Sequence, residues 1–185
     1  GIVKLQTENQ QFRGQQQFLE NELRRVAFLR ALEEPPCSEE QERELEKFKP
    51  DLLPHRHFVM GALLLERTSP DRDMIPAETL SAMLQKELRN ARPDAIVVHV
   101  RALRFLTLFP LRETGERPKL LRQVREAVSG MEQGALEGWR IRGCLGKAYG
   151  AEFGHFREAY EEVRESMYNR PVNAEEAILD AAERA

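Results

Sequence analysis

The sequence predicts an all-α fold: an irregular helical bundle, or a short α-solenoid, of about eight to nine helices behind a long, coiled-coil-like N-terminal helix. Three observations predict it. Apolar residues recur in steps of three and four along most of the chain. Prolines stand at segment boundaries, where helices start and stop. Capping-box patterns open two of the segments. No internal repeat supports stacked hairpins, so the bundle is preferred to the solenoid.

In chain order, Ile2, Leu5, Asn9, Phe12, Gln16, Leu19, Leu23 and Val26 alternate by three and four. With Ile2 at heptad position a, Asn9 also falls at a, where a buried polar residue sets register in parallel dimers. Residues 1–34 are therefore expected as a long helix, either a dimerising coiled coil or packed on a helical domain spanning 35–185. Pro35 and Pro36 end it. Ser38 and Gln41 form a capping box for a short helix that Pro50 closes. Pro54 suits the first turn of a helix carrying Phe58, Val59, Ala62, Leu63 and Leu65. Pro76 opens one with Leu80, Met83, Leu84 and Leu88 on one face.

Residues 94–109, "DAIVVHVRALRFLTLF", are where a strand competes. Val98, Val100 and Ala102 alternate with His99 and Arg101, yet a helix covers more residues and reads as the central, most buried one. Pro118 stands in the first turn of a helix bearing Leu120, Leu121, Val124 and Val128. Seven of the eleven glycines then fall between Gly130 and Gly154. They predict a break at Gly130–Gly138, followed by a helix from Leu145 to Met167 with a glycine edge at Gly146, Gly150 and Gly154 for a tight neighbour. Asn173 and Glu176 cap a last helix.

His99–Phe109 resembles a helix of HEAT-type repeats, and Glu158–Ala185 is similar to the closing helices of extracytoplasmic solute-binding proteins. Neither resemblance transfers functional residues.

Chemistry is sparse. His55 and His57 are two apart and do not share a helix face, and no CxxC, HExxH or calcium loop appears. No metal or cofactor is expected. "GCLGKAYG" lacks the first glycine and the hydroxyl residue of a phosphate-binding loop, since Ile141 and Ala148 hold those positions. Cys144 has basic neighbours but no assigned base, and reads as a buried structural cysteine. His99 reads as a satisfied core histidine. Two cysteines make no disulfide framework, so an intracellular, cytoplasmic setting is the default. The most apolar stretch contains His99, Arg101 and Arg104, so no membrane span is expected.

With 32% charged residues, the chain distributes charge unevenly: residues 88–147 carry 12 basic and 6 acidic side chains, and 148–185 carry 4 and 9. The reading that follows is a non-enzymatic scaffold or adaptor. It would meet protein partners, itself included, through Leu5, Asn9, Phe12, Leu19 and Leu23 and through the glycine edge. The alternative is a helical module that binds nucleic acid or another anion through Arg101, Arg104, Arg122, Arg125, Arg140, Arg142 and Lys147, with Trp139 stacking a base.

Overall fold

Strands stand where the sequence predicted its most buried helices. The computed structural model describes residues 6–13, 16, 27, 29, 55–71, 73–151, 155–171 and 174–184. The chain divides into two units, Gly1–Leu52 and Leu53–Ala185. In the first, residues 6–13 are helical with exposed side chains, among them Asn9 and Phe12. Leu5, Leu19 and Leu23, and the capping box at Ser38 and Gln41, lie outside the described residues.

The second unit runs β1 (His57–Arg67), α1 (Ala77–Ala91), β2 (Ile96–Arg101), β3 (Arg104–Leu111), α2 (Arg117–Gln133), β4 (Trp139–Gly150), α3 (Phe156–Tyr168) and β5 (Ile178–Asp180). Short 3₁₀ turns precede α2 and follow β5. The sheet order is β2-β3-β1-β4-β5. Every pair is antiparallel except β4 with β5.

The all-α expectation is therefore overturned, and the reason is burial. β1 and β3 lie inside the sheet, and all but the first residue of β3 are buried. A strand covered on both faces is apolar along its length, so its run matches a helical period as well as a strand period. Phe58, Val59, Ala62, Leu63 and Leu65 belong to β1, not to a helix after Pro54. Residues 96–111 form the β2–β3 hairpin, not a HEAT-like helix. Its turn holds Ala102 at φ 46°.

α1 begins directly after Pro76, and Pro118 stands in the first turn of α2, as the prolines announced. Leu80, Leu84 and Leu88 of α1 join Leu120, Val124 and Val128 of α2 in one cluster with Val59, Leu63, Phe105 and Phe109 of the sheet. α3 covers the other face of β1 and β4: the Phe156 ring stacks on Phe58 at 4.3 Å. Alternate strand residues point to opposite faces, which is why neighbouring Phe58 and Val59 serve different helices.

β2 forms an outer edge of the sheet, and α1 closes it at Val97. Gln85 Oε1 accepts the Val97 N–H at 3.0 Å, and the Ser81 hydroxyl donates to the Val97 carbonyl at 3.3 Å. At the far end Gly138, at φ 89°, turns the chain into β4, a conformation that favours glycine. The break predicted near Gly130–Gly138 falls at the end of α2, whose cap is Gly134. The helix predicted from Leu145 begins only at Phe156, because Leu145–Gly150 is strand. Where a last helix was expected, residues 178–180 pair with β4; Asn173 lies outside the described residues. Among the described residues, no helix is long and apolar enough to cross a membrane.

Candidate functional site

Four chain segments converge where β1 and β2 begin and β3 ends. Between them is a cleft of about 300 Å³ lined by His55, Arg92, Asp94, Pro110, Arg112 and Glu116, among others. Arg92 is the C-cap of α1 and Glu116 the N-cap of α2. Each charge thus sits at the helix end whose dipole favours it, a cation at a C-terminus and a carboxylate at an N-terminus. The Arg92 Nη1 lies 3.7 Å from Glu116 Oε2. Arg92 Nε donates to Gln123 Oε1 at 2.9 Å, which fixes the guanidinium plane. Glu116 Oε2 also accepts the Arg112 backbone N–H at 3.1 Å. Burial pushes the Glu116 carboxyl upward, but the Arg112 N–H and the Arg92 charge outweigh it and hold the group below its ordinary value. Across the cleft His55 Nε2 lies 3.5 Å from Asp94 Oδ2. The mouth thus offers arginine donors and carboxylate acceptors side by side.

A larger cleft of about 540 Å³ runs along α3, lined by Glu158, Glu161, Glu162 and Glu165 with Lys147 and Arg157. Its innermost carboxylate is already committed. Glu162 accepts the Lys147 N–H at 2.6 Å and the Tyr149 hydroxyl at 3.0 Å. Burial and the Glu162 charge push the Tyr149 phenol above its ordinary value. Glutamates along one helix face are an ordinary solvated surface, so the smaller cleft is the candidate site.

The residues expected to bind partners or nucleic acid do not assemble as the sequence suggested. Trp139 is core, 6% exposed, and unable to stack a base. Arg125 donates to the Ile178 carbonyl at 2.9 Å and faces Glu176. Lys147 pairs with Glu162 at 3.7 Å. Arg122 is exposed on α2. Arg101 and Arg104 oppose each other across the hairpin, and Arg104 and Arg142 flank Leu64 on β1. Arg140 is opposite Glu66. Gly146 and Gly150 are strand residues; a Cβ on Gly146 would sit 2.5 Å from Glu162 Oε1. Gly154 lies outside the described residues. Cys144 is buried, its thiol donating to the Val163 carbonyl at 3.5 Å. Among the described residues no group of three or more His, Cys, Asp or Glu is placed to hold a metal ion.

Sequence reading missed the cleft because its residues come from 55, 92–94, 110–112 and 116, with no shared motif. The signal available was positional: His55, Arg92, Asp94 and Glu116 each stand beside a proline or at a helix end.

No family model matches the chain, and no curated protein does. Among solved structures, the chain is similar to the coiled coil and GGDEF domain of DgcB from Caulobacter crescentus in complex with c-di-GMP. That match has 13% identity, a TM-score of 0.45, and covers 96% of this chain and 97% of the other. The GGDEF domain of YfiN (TpbB) from Pseudomonas aeruginosa is similar at 14% identity and a TM-score of 0.49, covering 75% and 92%. The isolated DgcB GGDEF domain with c-di-GMP is similar at 10% identity and a TM-score of 0.42, covering 77% and 86%. The α/β assignment rests on the strand register. The string Gly-Gly-Asp-Glu-Phe occurs nowhere in this chain.

The functional expectation is corrected with the fold. The scaffold or adaptor reading was built on the N-terminal helix and a helix with a glycine edge at Gly146, Gly150 and Gly154, and the nucleic-acid or anion alternative on helices of the basic segment 88–147. Gly146 and Gly150 stand in β4, and β2, β3 and most of β4 run through residues 88–147, so neither helical surface exists as expected.

Proposed function

We propose that Leu53–Ala185 is a guanine-nucleotide-binding domain that acts by binding, not by turnover, with the cleft of Arg92, Asp94, Arg112 and Glu116 as its site. One observation carries the reading: two arginines and two carboxylates, one of each from residues 92–94 and one of each from 112–116, share one cleft. Guanine is the base that asks for both. Its O6 and N7 accept from arginine, and its N1–H and amino group donate to a carboxylate. Adenine offers N6–H₂ where guanine has O6, so it would face the arginine with a donor. A second guanidinium suits a phosphate bidentately. The half-buried Arg92–Glu116 pair keeps both partners charged and positioned before a ligand arrives.

Isothermal titration of the full chain tests this, with c-di-GMP, GTP and GMP as guanine probes and c-di-AMP, ATP and AMP as their adenine controls. We expect at least one guanine compound to bind about tenfold or more tightly than its adenine counterpart, and Arg92→Ala to weaken that binding by tenfold or more. Equal affinity for guanine and adenine compounds, or no binding by any of them, overturns the reading. Incubation of the chain with GTP and Mg²⁺ or Mn²⁺, followed by chromatography, should leave GTP unchanged. A new nucleotide product would replace binding with catalysis.

A further inference from the structure

Glu116 and Arg117 are consecutive, and they serve different parts of the unit. Glu116 belongs to the cleft, where Arg92 and the Arg112 N–H hold it. Arg117, the first residue of α2, reaches the C-terminal strand. Its Nε donates to the Gly146 carbonyl at 2.7 Å, and its Nη2 to the Leu145 carbonyl at 3.1 Å and to Asp180 Oδ1 at 2.5 Å. Two more arginines fasten the same segment. Arg125 donates to the Ile178 carbonyl, and Arg170 to the carbonyls of Gly143, Ala177 and Glu176. The ladder itself is short: β5 pairs with β4 only at Ile178, Leu179 and Asp180. Three residues is the short end of the strand range, so besides the buried Ile178 side chain the guanidinium groups supply much of its docking.

We propose that occupancy of the cleft is coupled to docking of β5 through the Glu116–Arg117 step, making the C-terminal segment the output of the nucleotide site. The identity of the ligand rests on the nucleotide reading above; the linkage does not. A ligand that draws Arg92 to its base or phosphate takes that guanidinium from Glu116. The carboxylate at the N-terminus of α2 then loses its side-chain partner and keeps only backbone N–H groups of its own loop, Arg112 and Glu113, so the first turn of α2 is freer to shift. Arg117 is in that turn, and a small displacement lengthens its hydrogen bonds to Leu145, Gly146 and Asp180 together. The occupied cleft therefore loosens β5. By linkage, loosening β5 tightens the ligand by the same factor.

Native-state hydrogen exchange on the full chain tests the coupling with and without ligand. In the ligand-free chain, Glu116→Gln should speed exchange at residues 178–182 about tenfold, while amides of α3 around Val163 stay unchanged. Asp180→Asn serves as the local control that loosens the same amides directly. Added c-di-GMP or GTP should speed exchange at 178–182 in the wild-type chain, and Asp180→Asn should bind the same compound more tightly. Unchanged exchange at 178–182 in Glu116→Gln overturns the coupling, as does binding that leaves those amides unaffected. Absence of binding to every guanine compound overturns the nucleotide reading alone, and the Glu116→Gln result still decides the linkage.

Discussion

A Cβ placed on Gly143 would fall on the carbonyl oxygen of Ala62, on the neighbouring strand β1, and 2.8 Å from Leu63 Cδ2. Gly130, near the end of α2, has nothing within 4 Å of its Cβ position. The two glycines therefore predict opposite outcomes for one substitution. Gly143→Ala forces the central strands apart and should cost about 1–3 kcal/mol, the range of overpacked cores. Gly130→Ala fills open space on a helix and should stabilise by about 0.5–1 kcal/mol through the lost flexibility of the unfolded chain. Urea denaturation of both variants measures the difference; equal shifts would mean that Gly143 has room to spare.

These glycines also show how much was legible. Their three- and four-residue spacing suggested a helix edge, yet the decisive signal was the alternation just before it. Trp139, Ile141 and Gly143 point into the core while Arg140 and Arg142 point out, a period of two. In 96–102 the same alternation is present, and the longer apolar run through Phe109 outweighs it. That run is apolar because β3 is covered on both faces. No period distinguishes such a strand from a buried helix, and only partner strands far along the chain settle it. α1, α2 and α3 were legible because each has one wet face and, in two cases, a proline at or near its start. The cleft was not, because proximity of Arg92, Asp94 and Glu116 is a product of the sheet order.

Ala102 holds a left-handed conformation at the tip of the β2–β3 hairpin, φ 46°, with His99 Nε2 2.7 Å from its carbonyl oxygen. An L-residue there costs about 1 kcal/mol that glycine avoids. Ala102→Gly should therefore raise the urea midpoint slightly, with a net gain of up to about 0.5 kcal/mol after the added freedom of the unfolded chain. A drop in stability would show that the alanine methyl contributes packing at this exposed turn.

The edge of β2 depends on Gln85. Replacing it with alanine leaves the buried Val97 N–H without its acceptor, a loss of about 1–3 kcal/mol. It also uncovers an edge that can pair with another chain. Gln85→Ala is expected to lower the melting temperature and to raise the fraction of dimers or larger species in light scattering. Gln85→Glu keeps the acceptor and should remain monodisperse relative to wild type. If both variants associate equally, the edge is guarded by something other than this hydrogen bond.

The Arg117–Asp180 pair gives stability a signature in acid. Its side chains are 14% and 10% exposed. Burial would raise the Asp180 carboxyl, but the Arg117 hydrogen bond and charge, the Ala182 N–H and Arg125 together hold it below its ordinary value. A carboxylate depressed on folding contributes stability that is fully present above its unfolded pKa, about 3.9. That contribution fades as pH falls through the lower folded value. Wild type should therefore lose stability steeply below about pH 4, and Asp180→Asn should lose less over the same interval. At pH 7 the variant starts lower by about 3 kcal/mol, because Arg117 is left charged and uncompensated. Glu116 is also depressed and contributes to the acid limb of both proteins, so the difference between their curves isolates Asp180. Urea midpoints at pH 7, 5, 4 and 3 measure that difference. Curves that stay parallel down to pH 3 would mean that Asp180 titrates alike in the folded and unfolded chain, and that the guanidinium bonds to Leu145 and Gly146 hold β5 without it.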